Sequence, residues 1–142
     1  MNGYLLDTNC ISEAVSARPE RRVLEWLDGI EEGLLYLSVL TLGELRKGVA
    51  GLAQGKRRSQ LERWLETDLP ARFAGRILPI EREIADRWGL IAADAKRKGR
   101  PVASIDGLLA ATALHFELIL VTRNATDFAA TRVSMLNLWE AK

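Results

Sequence analysis

The chain has 142 residues, 48% of them hydrophobic, which suits one domain over residues 1–142 with a sizeable core. Its 20 basic and 19 acidic residues nearly cancel, so bulk charge identifies no partner, and the lone Cys10 excludes an internal disulfide and a cysteine-based zinc site. Met1-Asn2-Gly3-Tyr4 does not open a secretory signal, and no apolar run approaches the roughly 20 residues that span a bilayer, so a soluble, cytoplasmic protein without a membrane role is expected.

In chain order, Gly3 to Leu6 predicts a first, central strand, and Ile11 to Val15 a short helix. Pro19 suits the start of a helix over Glu20 to Leu27, which places Val23, Leu24 and Leu27 on one face. A second strand spans Leu34 to Ser38, followed by a helix over Leu42 to Ala50. Gly51 and Gly55 break the chain before a helix over Lys56 to Leu69, which Pro70 is expected to stop. Arg76 to Pro79 is a weak strand candidate. From Glu81 to Lys98, Ile84, Trp88, Ile91 and Ala95 recur at helical spacing, with Gly99 and Pro101 closing the helix. A helix over Asp106 to His115, a buried strand over Leu118 to Thr122 and a last strand over Ser134 to Leu138 complete the pattern. Strands alternating with helices predict an α/β fold whose mostly parallel sheet is covered on both faces.

Four separated segments place an acid at the edge of a regular element: Leu6-Asp7-Thr8, Thr41-Leu42-Gly43-Glu44, Ser104-Ile105-Asp106-Gly107, and Arg123-Asn124-Ala125-Thr126-Asp127. Ligands of open α/β sheets bind outside the carboxyl ends of the strands, where these acids would converge. Each has a plainer role. Asp7 suits a turn before the next helix. Thr41-x-x-Glu44 reads as a capping box. Asp106 suits a helix N-cap, as does Ser104. Asn124 or Asp127 could cap the short turn at Phe128. Together, though, clustered carboxylates raise one another's pKa unless a cation neutralises them, and an all-oxygen set prefers a hard ion such as Mg²⁺ or Mn²⁺. That chemistry points to metal-assisted phosphodiester hydrolysis, with Thr8, Asn9, Ser104 and Arg123 as candidate substrate-binding residues beside the acids.

His115, the only histidine, lies late in an apolar helix and reads as a packed or surface residue. Lys56-Arg57-Arg58 and Lys96-Arg97-Lys98 with Arg100 read singly as solvated faces, and jointly as a grip on a nucleic-acid backbone. Trp26, Trp64 and Trp88 belong on apolar helix faces. The helices over 20–27 and 56–69 carry more large apolar side chains than a small sheet needs, which suggests a groove for a partner helix.

Taken together, Leu5-Leu6-Asp7-Thr8-Asn9, Gly43-Glu44-Leu45, Asp106-Gly107-Leu108-Leu109-Ala110-Ala111-Thr112-Ala113, Val121-Thr122-Arg123-Asn124 with Asp127-Phe128, and Leu136-Asn137-Leu138-Trp139 resemble the PIN-domain nucleases. The likeness is greatest to the VapC toxins of bacterial toxin–antitoxin pairs and the related FitB-like proteins, although Leu138 replaces an expected proline. The resemblance implies a three-layer α/β/α sandwich and Mg²⁺- or Mn²⁺-dependent cleavage of RNA. It also implies a cognate VapB-type antitoxin, a homodimer, and assembly with the antitoxin on DNA. Asp7 and Asp106 match the family's principal metal ligands and Glu44 a supporting acid; Asn124 stands where many members carry an acid, with Asp127 as the alternative. A receiver-like phosphoacceptor domain fits less well, because Arg123 rather than lysine follows the late strand and no paired acids follow the first. The remaining alternative is a PIN-fold binding module with little or no turnover.

Overall fold

A computed structural model describes residues 2–140. Five strands, β1 (Tyr4–Leu6), β2 (Leu35–Ser38), β3 (Ile77–Leu78), β4 (Ile119–Val121) and β5 (Met135–Leu136), form one sheet in the order β3-β2-β1-β4-β5. Every pairing is parallel, with Tyr4 opposite both Leu35 and Ile119. The central position predicted for the first strand is correct; β5 is shorter than the 134–138 expected.

Successive residues of a strand face opposite sides of a sheet, and here each side meets a helical layer. Leu6, Leu35, Leu37 and Val121 face one core, formed with helices α1 (Thr8–Ser12), α2 (Arg21–Gly29), α3 (Val39–Ala50), α4 (Lys56–Arg63) and α5 (Leu69–Arg72). Leu5 and Leu120 face the other, where α7 (Ser104–His115) and α8 (Ala125–Phe128) supply Leu109, Ala110, Ala113 and Phe128. The long helix α6 (Arg82–Arg97) packs outside α7. The result is the three-layer α/β/α sandwich. Among the described residues, no helix is long and apolar enough to cross a membrane.

Several local expectations change. The first helix begins at Thr8 rather than Ile11, because the Asp7 side chain accepts from the Thr8 N–H and caps the helix directly after β1. Helix α3 begins at Val39, capped by Ser38, whose hydroxyl accepts from the Leu40 N–H at 3.0 Å. Thr41 therefore lies inside the helix with its hydroxyl buried and unpartnered, and the capping box with Glu44 does not form. Helix α7 begins at Ser104 behind Ala103, so neither Ser104 nor Asp106 is its cap.

Pro70 does not stop its helix. The segment 64–68 makes one wide π-helical turn, in which the Leu69 N–H reaches back to the Trp64 carbonyl. That turn shifts the phase so that Pro70 falls in the first turn of α5, where its missing N–H breaks no bond. The apolar surplus expected on 20–27 and 56–69 is also absent. Val23, Leu27, Leu65 and Leu69 are buried, with Leu61 and Trp64 packed on the same core, so these side chains are used in covering the sheet.

The close of α6 follows the expectation at Gly99. Its φ of +70° allows the Gly99 N–H to bond to Lys96 at 3.0 Å and the Arg100 N–H to Ala95 at 2.9 Å. Within the extensive α6–α7 interface the approach at Gly107 is close: a Cβ added there would lie 2.8 Å from Trp88 Cδ1 and 2.9 Å from Nε1. Gly107→Ala should gain about 1 kcal/mol of helix propensity, yet overpacking against a fixed ring costs about 1–3 kcal/mol. Chemical denaturation should therefore show a net loss of stability. A variant as stable as the parent would mean that Trp88 moves aside freely.

Candidate active site

The strand order reverses about β1 and β4, and at such a switch point the loops leave in opposite directions and open a crevice. Asp7 stands there. Its N–H donates to the Val121 carbonyl at 2.9 Å, extending the β1–β4 ladder by one residue. Its Oδ1 accepts from the Thr8 N–H at 2.8 Å, and its Oδ2 from Thr122 Oγ1 at 2.8 Å and Asn9 Nδ2 at 3.4 Å. Burial to 5% exposure raises the carboxyl above the usual range; the Thr122 and Thr8 bonds pull it back, and the charge of Glu44 pushes it further up.

Glu44 lies on α3, and its Oε1 accepts from Thr8 Oγ1 at 2.6 Å. Thr8 thus links two acids drawn from different elements. Asp106, in the first turn of α7, has its carboxyl pushed up to about 6. Burial contributes most, followed by the charges of Asp7, Asp127 and Glu44. Those three acids therefore lie near enough to Asp106 for their charges to act on it.

Asp127 on α8 shares a cavity of about 370 Å³ with Asp106, and the wall also includes Arg100, Val102 and Thr126. Asn124 precedes α8, with its N–H on Thr122 Oγ1 at 3.0 Å and its carbonyl accepting from the Asp127 N–H at 3.0 Å. Its side chain caps nothing. The charge of Asp127 acts on Asp106, and the neutral Asn124 side chain carries none. Asn9 braces the loop, since its Oδ1 accepts from the Arg123 N–H at 3.1 Å. Arg123 is tied here by its backbone, which also accepts from Asn137 at 3.3 Å. Ser104 is exposed at the start of α7.

His115 lies at the far end of α7, edge-on to Phe116 with ring centroids 4.8 Å apart, and lines a separate groove with Arg87 and Leu90. It takes no part in the acidic site. Cys10 is buried, which pushes its thiol up to about 12, so it stays protonated and unsuited to metal ligation. One residue escaped the reading of the sequence as a site component, and a second was read only as part of a cluster. Thr122, fully buried, orients Asp7; its one signal was a hydroxyl closing the apolar run Leu118 to Val121. Arg100 reads in sequence only as part of a basic cluster, but it lines the acid cavity.

Among the described residues, none of the four acids forms an ion pair. No group of three or more acidic, histidine or cysteine side chains among them is already drawn into a metal-sized cage. The donor chemistry nonetheless fits a hard divalent cation: all-oxygen ligands, no ion-pair partner among the described residues, and an Asp106 carboxyl raised by burial and then by neighbouring acids. Asp7 and Asp106 are the held groups such an ion would meet, with Glu44 and Asp127 beside them.

Comparison with known proteins agrees with this architecture. The chain is 42% identical over 135 residues to toxin FitB of Neisseria gonorrhoeae, covering 95% of this chain and 97% of that protein. It is 38% identical over 136 residues to VapC ribonuclease Y4jK of Sinorhizobium fredii, covering 96% and 97% respectively. A solved structure of FitAB bound to an IR36 DNA fragment superposes with a TM-score of 0.91 at 39% identity, covering 98% of this chain and 97% of that one. The profile of the PIN domain matches residues 4–133, from the first strand to the residues before the last. With that profile spanning most of the sequence and relatives this similar over nearly their whole length, the chain belongs to the PIN-domain family.

Proposed function

We propose that the chain is a divalent-metal-dependent endoribonuclease, the toxin of a VapBC-type toxin–antitoxin pair. The observation that carries this reading is that Asp7, Glu44 and Asp127, from separate parts of the chain, all lie near enough to Asp106 to act on its charge, with Asp106 and Asp127 sharing one cavity. Its relatives carry the names toxin FitB and VapC ribonuclease.

The residues divide the work of phosphodiester hydrolysis. When bound, Mg²⁺ or Mn²⁺ would neutralise phosphate charge and lower the pKa of water. Asp7 is pre-oriented by the Thr8 N–H and Thr122 hydroxyl, so its carboxylate needs no reorganisation. Glu44 is held by Thr8, and Asp106 by the rigid start of α7 against Trp88. Thr8, Asn9, Ser104 and Arg123 border the site and are proposed to contact the substrate. No imidazole is in place to accept a proton from water, so that duty falls to the carboxylates.

A partner has a surface to occupy. Val39, Leu52 and Ile105 are exposed apolar residues lining a groove of about 700 Å³ that also contains Thr8 and Glu44. An antitoxin segment with apolar side chains and a terminal arginine would fill the groove and pair with the free acids. Leu90, the most exposed large apolar residue described, stands on α6 outside that groove, which leaves surface for a homodimer. Assembly with the antitoxin on DNA is proposed by likeness to the FitAB complex.

Three outcomes test this reading. Purified protein should cleave RNA with Mg²⁺ or Mn²⁺ and stop with excess chelator. Asp7→Asn and Asp106→Asn should abolish cleavage, while His115→Ala retains it. Glu44→Gln should reduce cleavage without changing the melting temperature, since Ser38 and not Glu44 caps α3. Cleavage that persists in chelator would remove the metal from the mechanism.

A pH dependence also follows. Asp106 titrates at about 6 in the folded chain against 3.8 ordinarily, so between those values the folded state holds more protons than the unfolded one. Stability of the metal-free chain should therefore fall as pH rises from about 4 to 6. Asp106→Asn should melt above the parent at pH 7 and converge with it near pH 4, as read by calorimetry without divalent ions. Parallel melting curves at both pH values would contradict the electrostatic assignment.

In cells, expression of the chain alone should arrest growth, Asp7→Asn should be harmless, and co-expression with a cognate small protein should restore growth. A chain that is harmless when expressed alone yet cleaves RNA when purified would leave a nuclease without a toxin role.

A further inference from the structure

The two basic clusters have different fates. Arg57 donates to the Val15 carbonyl, and Arg58 donates to Leu52 at 3.1 Å and lies 3.6 Å from Glu62, so both brace the fold. In the second cluster, Arg97 and Lys98 pair with Asp94 at 3.5 and 2.8 Å. Arg100 is different. Among the described residues it has no ion pair, although Asp106 and Asp127 line the same cavity.

Its placement is fixed by backbone chemistry. The left-handed Gly99 turns the chain at the end of α6, the Arg100 N–H is bonded to Ala95 at 2.9 Å, and Pro101 follows with its φ set by the ring. The short connection then leads directly into α7 and Asp106. Arg100 is thereby carried on the same rigid corner as one of the acids. The cavity has an acidic wall from α7 and α8 and a single cationic residue on the opposing connection, in a volume of about 370 Å³.

We infer that Arg100 is a substrate-binding residue that holds a phosphate of the RNA strand adjacent to the one being cleaved. This inference rests on the nuclease reading and names the part of the chain that receives the strand. A guanidinium suits the role because its planar donors engage phosphate oxygens bidentately and its charge is permanent. Its freedom from an internal partner matters, since an arginine already paired with Asp127 would have to break that pair to bind. The position also separates two duties: the acids handle the phosphate under attack, while Arg100 fixes the strand beside it.

The test uses the full chain and a synthetic single-stranded RNA that the parent cleaves. Arg100→Ala should raise KM about five- to tenfold with kcat changed little, and the dependence of log(kcat/KM) on log[salt] should flatten by about one phosphate contact. Arg100→Lys should recover part of the loss, because the charge returns without the bidentate fork. Arg97→Ala, removing a neighbouring cation paired with Asp94, should match the parent. Unchanged KM and salt dependence in Arg100→Ala would overturn the assignment while leaving the nuclease intact. Loss of affinity for a cognate small protein with RNA kinetics unchanged would also overturn it, moving Arg100 to the partner interface. A parent chain that cleaves no RNA at all would remove both the nuclease reading and this one.

Discussion

The buried carboxylate of Asp7 is the constraint on which the rest depends. An ion taken out of water is costly unless hydrogen bonds replace hydration, and here three groups do so: the Thr8 N–H, the Thr122 hydroxyl and the Asn9 amide. These donors come from both sides of the β1–β4 switch point, so satisfying the charge also fixes how the two strand ends meet. Asn9 extends the brace to Arg123, and Thr122 extends it to the Asn124 N–H. One polar network therefore sets both the mouth of the sheet and the orientation of a site residue.

Around that centre, each helix contributes an acid through a different local device. Ser38 caps α3 and so places Glu44 in the helix body, free to accept from Thr8 instead of closing a capping box. The α7 start is fixed from outside, where Gly107 lets the Trp88 ring approach closely and the Gly99 turn delivers the chain from α6. These devices hold like charges in range of one another. The consequence is visible at Asp106, whose carboxyl is pushed up first by burial and then by the charges of Asp7, Asp127 and Glu44. Stability and function are thus opposed at the same residue, as expected for a site built to receive a cation.

The groove beside Glu44 and the cavity beside Asp127 give the acids two differing approaches. The first is apolar and passes Val39, Leu52 and Ile105; the second is small, polar and flanked by Arg100. A protein segment suits the apolar approach, whereas a phosphodiester strand suits the polar one. The first reaches Glu44, and the second reaches Asp106 and Asp127.

The parallel sheet and the first strand at its centre were legible in the sequence, because apolar runs such as Leu118 to Val121 alternated with helical spacing such as Ile84-Trp88-Ile91-Ala95. Asp7, Glu44, Asp106 and Asp127 were legible as candidates because an acid at the edge of an apolar element is an unusual expense of burial unless it is used. Helix boundaries were less legible where two polar residues competed for a cap: Ser38 and Thr41 have similar chemistry, and Ser38, extended at the end of β2, is the one that caps. Pro70 read as a stop because its chemistry forbids an ordinary helical bond, and the wide turn over 64–68 that accommodates it leaves no local mark. The apparent apolar surplus of α2 and α4 was likewise a matter of packing, decided by how much sheet they cover. Residue type alone thus determined which groups could do chemistry. Tertiary structure decided which of them share a charge environment, because Thr122 and Asp127 meet Asp7 and Asp106 through contacts between elements distant in the chain, and no local pattern encodes those.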